Sequence, residues 1–135
     1  MNDEILKNEK SDKKIAYIKG SIIGVLAIVI AMLLFSAIIL FFNLDRAYSL
    51  PFATISAALG VFFASHYTAK KIGDRGYLIG FIISVAVFVI ITVISMIINN
   101  AGFNINTLFH FIIIVLSGVV GGIMGVNHEK KQKLI

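Results

Sequence analysis

The segment AKKIGDRGYLIG (Ala69–Gly80) lies between two long apolar runs and packs three basic residues, Lys70, Lys71 and Arg75, among three glycines. Upstream is LPFATISAALGVFFASHYTA (50–69) and downstream YLIGFIISVAVFVIITVISMII (77–98), neither with an Asp, Glu, Lys or Arg. An α-helix rises about 1.5 Å per residue, so about 20 apolar residues cross a hydrocarbon core of about 30 Å. Both runs are that long, which makes the segment a polar turn between two membrane spans. Gly73 stands where the first of these helices must stop in a left-handed residue, a conformation free of Cβ strain only for glycine. Lys70 and Lys71 then sit at the negative end of that helix and beside an anionic lipid surface.

Working outward, two further runs have the same character, GSIIGVLAIVIAMLLFSAIILFF (20–42) and TLFHFIIIVLSGVVGGIMGV (107–126). The 135-residue chain is 59% hydrophobic, with a mean hydropathy of +0.96, more apolar surface than a soluble domain of this size can bury. The runs are continuous rather than alternating, which selects helices over barrel strands. The expected fold is all-α, a polytopic membrane protein with a four-transmembrane-helix bundle, with two tandem helical hairpins as one arrangement. The domain limits are an N-terminal tail over 1–18, a transmembrane domain over 19–127 and a C-terminal tail over 128–135. The first run is too long for a signal peptide and lacks a small-x-small cleavage site after it, so it is expected to remain as an anchor. The tail before it is expected to be solvated, with a helix starting at Ser11 or Asp12 as N-cap. Pro51 falls in the first turn of its helix, where a missing N–H costs least.

Charge sets the orientation. Lys7, Lys10, Lys13, Lys14, Lys19, Lys70, Lys71, Arg75, Lys130, Lys131 and Lys133 fall on the side that holds both termini, and Arg46 alone falls on the other. The positive-inside rule then puts both termini in the cytoplasm, within a multi-pass protein of the cell membrane. The connection NNAGFNIN (99–106) carries no charge, and Asn99, Asn100, Asn104 and Asn106 read as residues that cap and end helices. A net charge of +5 confined to the span flanks, with no basic stripe interleaved with aromatics, speaks for an anionic inner leaflet as partner and against nucleic acid.

Inside lipid, helices approach through small residues repeated every four positions. The fourth run has one such ridge at Ser117, Gly121 and Gly125 and a neighbouring one at Gly118 and Gly122; the second has Ser56, Gly60 and Ala64. The first and third open with Gly20 and Gly24, and with Gly76, Gly80 and Ser84. The second and fourth runs are therefore expected to face other helices, and the similar starts KGSIIG (19–24) and RGYLIG (75–80) hint at two related hairpins.

Taken together, Gly60, AKKIGDRGYLIG (69–80) and GGIMGVN (121–127) resemble the YrzE-like family of small four-span integral membrane proteins of Gram-positive bacteria. The match carries Gly73, Gly76 and Gly80 in the basic loop and Gly121, Gly122, Gly125 and Asn127 at the last exit. FFASHYTA (62–69) has fewer glycines than the pattern, and Tyr77 takes what looks like a tryptophan position. The resemblance implies architecture and membrane location and brings no catalytic residue.

No Asp, Glu, Lys or Arg lies inside the four runs, and the chain has no cysteine. A proton- or cation-coupled carrier needs such a buried charge, and no nucleophile, base and acid can be assembled here. His66 and His110 fall near opposite membrane surfaces. His128 can approach His66, but two imidazoles without a third ligand make no metal site. The sequence implies no enzyme, metal or cofactor. It points to a non-enzymatic interaction or assembly partner of other membrane proteins or of its own copies, through the packing ridges and through Lys70, Lys71 and Arg75. The alternative is a small oligomeric channel or transporter with a polar pathway along Thr54, Ser56, Ser65, His66 and Ser117.

Overall fold

The computed structural model describes residues 1–100 and 102–135; of residue 99 only the backbone is described. Helix α1 (Asn2–Phe41) leads through a single 3-10 turn (Arg46–Tyr48) to α2 (Ser49–Ile72), α3 (Gly76–Asn99) and α4 (Ile105–Lys133). All four are long and apolar enough to cross a membrane, and the described residues include no strand.

The helix ends follow local chemistry. Gly73 closes α2 with φ +74° and its N–H donates to the Ala69 carbonyl at 2.8 Å, as the loop's glycine pattern requires. Asn100 ends α3 at φ +46°. Asn104 opens α4 by a reciprocal cap, accepting from the Ile105 N–H at 3.0 Å while the Asn104 N–H donates to Thr107 Oγ1 at 3.4 Å. The capping expected of the Asn99 side chain lies outside the described residues. Asn127 does not end α4; it is exposed within the helix, which runs on to Lys133 with Lys130, Lys131 and Lys133 in its last turn.

The N-terminal segment departs from the expected tail. Helix α1 starts at Asn2 and passes Ser11 and Asp12 without a break. Asp3 and Glu4 lie in its first turn, where they oppose the helix dipole, and Asp3–Lys7 and Glu9–Lys13 stand at i,i+4 spacing. No Gly or Pro precedes Gly20 to interrupt it. The 40 residues of α1 make a rod about 60 Å long, twice a hydrocarbon core.

Helix α2 is central. It packs against α1, α3 and α4, while α3 packs against α4 and α1 packs essentially on α2 alone. The spans of α2 and α4 have mean hydropathies of 1.6 and 2.2 and are each 33% buried in the protein; α1 and α3, both at 3.1, are 11% buried. The outer pair is thus a lipid-facing sheath on an inner, less apolar pair. Leu33, Leu40 and Ile97 remain two-thirds or more exposed, an arrangement suited to hydrocarbon rather than water.

Candidate functional site

Three glycine-lined seams hold the helices. Between α1 and α2, Gly20 lies on Thr68 and the Ala64 carbonyl, and Gly24 lies on Ala64 and the Gly60 carbonyl. Between α3 and α4, Gly76 meets Gly122 and Val126, Gly80 meets the Gly118 carbonyl, and Gly118 meets Ser84. Gly20 and Gly24 thus stand to Thr68, Ala64 and Gly60 as Gly76 and Gly80 stand to Val126, Gly122 and Gly118, so the two hairpins repeat one contact pattern. The third seam joins the hairpins: Ser117 Oγ donates to the Ala58 carbonyl at 2.7 Å, Gly121 rests on the Phe62 backbone, and Gly125 rests on the His66 carbonyl and Ala69.

The structure therefore brings the small residues of the even spans into use, but inside the chain. Gly60 and Ala64 serve α1, Gly118 and Gly122 serve α3, and Gly121 and Gly125 serve α2. Ser56 is fully buried and donates to the Phe52 carbonyl of its own helix at 2.8 Å rather than across a seam. A bulky residue at Gly121 would collide with α2 before it met any outside partner.

The polar residues of the second span do not line one cavity. Thr54 lies at the connection end, half-buried, and donates to the Leu50 carbonyl at 3.0 Å. Its hydroxyl also lies in hydrogen-bond contact with His110 Nδ1, the direction of that bond being set by the imidazole tautomer. The pair lines a cavity of about 310 Å³ at that end of the bundle, whose remaining walls, from all four helices, are mainly apolar, including Met32, Phe88 and Ile114. Ser65 and Thr68 are fully buried toward the other end of α2, and neither hydroxyl has a hydrogen-bond partner among the described residues. His66 is half-buried beside them, with its ring centroid 6.2 Å from that of His128. No three potential metal ligands come together among the described residues.

At the end of the bundle that holds both termini, Lys70 is half-buried while Lys71 and Arg75 are exposed. Arg75 approaches Asp74 at 4.0 Å, an exposed pair of little energetic weight. The Glu129 side chain reaches back from α4 onto Gly73, filling the space a Cβ would need, and pairs with Lys133 at 3.0 Å. A second cleft, of about 430 Å³, opens between the N-terminal part of α1 and the end of α2, with Lys13, Lys19, Tyr67 and Lys71 on its walls. Sequence reading expects a helix from Ser11 or Asp12 but does not say that the stretch before Gly20 stands against the end of α2, so it misses this cleft. The signal that could have revealed it is the acid–base spacing of that stretch.

The family described as "Protein of unknown function (DUF3792)" matches residues 13–125, a stretch that takes in nearly all of the four spans. No curated protein and no solved structure matches the chain.

Proposed function

The chain belongs to the DUF3792 family of proteins of unknown function, and from that premise we propose that it acts as a non-enzymatic interaction or assembly partner of other membrane proteins, met through its α1 arm. The observation that carries this reading is the arm itself. The roughly 18 residues before Gly20 continue α1 about 27 Å beyond the span, almost wholly exposed, with Ile5 and Leu6 more than half accessible. With the small-residue ridges filled from within, that arm is the surface on which specificity for a partner can be built. The excess of lysine and arginine on its side supports a cytoplasmic position for the arm and both termini. Placement among YrzE-like proteins of a bacterial cell membrane belongs to the same proposal, resting on Gly73, Gly76 and Gly80 in the basic loop.

Affinity capture from native membranes in mild detergent, with Ile5→Glu/Leu6→Glu as the comparison, tests the reading. A membrane protein recovered in fixed ratio with the native chain and lost with the variant supports it. Recovery of the chain alone from both would end it.

One observation favours the second reading, a small channel or transporter: the cavity of about 310 Å³ is lined by all four helices and holds the Thr54–His110 pair. Solute or ion flux through proteoliposomes that Ala57→Phe blocks would move the assignment to that reading.

A further inference from the structure

We infer that the cleft between α1 and α2 is a binding site for the headgroup of one anionic phospholipid, held by Lys19, Lys71 and Tyr67. This goes beyond the partner reading and rests only on the four helices crossing a bilayer.

Position comes first. Lys19 immediately precedes the first apolar run, while Tyr67 and Lys71 lie at the end of the second, so all three stand at the level where a bilayer places its phosphates. Ile15, Ala16 and Ile72 form the apolar part of the same wall, on the terminus side of Lys19 and Lys71.

Charge comes second. Glu9 and Asp12 also line the cleft, yet the ion pairs among the described residues are Arg75–Asp74 and Lys133–Glu129, so no cleft lysine is held in a direct ion pair. Along α1, Asp12 and Glu9 lie about 10 and 15 Å farther from the membrane than Lys19. That is beyond a Debye length of about 8 Å at physiological salt, so an anion at the membrane surface meets Lys19 and Lys71 first. A phosphate diester takes charge from Lys19 and Lys71 and a hydrogen bond from the Tyr67 hydroxyl. The cleft, at about 430 Å³, is an open recess rather than a bare surface patch.

The test uses the full chain in detergent micelles and native mass spectrometry, with phosphatidylglycerol and phosphatidylcholine of identical acyl chains offered in equal amounts. The native chain should retain a single phosphatidylglycerol in clear preference. Lys19→Gln/Lys71→Gln should reduce that preference by at least about fivefold, roughly the effect of one lysine at an anionic surface. Lys130→Gln/Lys131→Gln, the same change of charge on the last turn of α4, should leave it intact. Tyr67→Phe, which removes only a hydroxyl, should weaken retention without loss of helicity by circular dichroism and so covers any failure of the double variant to fold. Excess inorganic phosphate should not displace the lipid; if it does, the site takes free phosphate and the proposal fails. Equal retention of both lipids, or equal losses from the two double variants, would also overturn it.

Discussion

Gly76 and Gly122 meet backbone to backbone, so that a Cβ built on either would collide with the carbonyl oxygen of the other. Such an approach maximises dispersion between helices that gain nothing from excluding lipid, and it leaves no room for a methyl group. Gly122→Ala should therefore cost about 1–3 kcal/mol by overpacking, and Gly122→Leu should prevent the folded form from accumulating. At Gly102 a Cβ meets nothing within 4 Å, and Gly102→Ala should change stability by less than about 0.5 kcal/mol. Unfolding in mixed micelles with rising dodecyl sulfate, followed by circular dichroism, measures all three; an unshifted midpoint for Gly122→Ala would contradict a packed seam.

The four spans were legible because each is a continuous apolar run, and Gly73 was legible because a helix end needs a left-handed residue. The ridges at Ser117, Gly121 and Gly125 and at Gly118 and Gly122 were legible as packing surfaces. Their partners were not, since four-residue spacing does not say that Gly118 meets Gly80 while Gly121 meets Phe62. The part of the arm before Ser11 escaped notice because residues 2–10 have no buried face and depend on dipole, ion-pair spacing and continuity with the span. The lysine cleft stayed out of view because nothing local says that this helix stands against the end of α2. Glu129 on Gly73 joins positions far apart in sequence, and nothing local to either announces the contact.

Ser117 supplies a hydrogen bond across the seam between the hairpins, donating to the Ala58 carbonyl. Ser117→Ala leaves that carbonyl free for its own helix, so no buried acceptor is stranded. The loss should be about 0.6 kcal/mol, the average for hydrogen bonds between membrane helices, and below about 2 kcal/mol. Ser117→Val adds bulk to the same seam and should cost more. A reversed order of the two in the same dodecyl sulfate assay would mean that the hydroxyl, not the close approach, holds α2 to α4.

Gly73 combines φ +74° with a neighbour, Glu129, in the place a side chain would take. Gly73→Ala should thus carry two penalties, about 1–2 kcal/mol for the left-handed backbone and a further cost for displacing the carboxylate. Glu129→Ala should remove only the second. In a double-mutant cycle, Gly73→Ala should therefore be less destabilising on the Glu129→Ala background, with a coupling of about 0.5 kcal/mol or more. Strict additivity would show that Glu129 swings away freely and that backbone strain alone makes the position intolerant.

Orientation is open to a direct measurement because the chain contains no cysteine. Asp45 lies in the turn between α1 and α2, while Asp74 and Gln132 lie at the end that holds both termini. Single variants Asp45→Cys, Asp74→Cys and Gln132→Cys place one thiol on each exposed segment without touching a seam. The orientation proposed from the lysine and arginine bias puts the end holding Asp74 and Gln132 in the cytoplasm. A membrane-impermeant maleimide applied to intact cells should then label Asp45→Cys alone, and the other two only after permeabilisation. Labelling of all three in intact cells would reveal a population in both orientations, and the reverse pattern would put the α1 arm and the lysine cleft outside, where neither a cytoplasmic partner nor an inner-leaflet lipid could reach them.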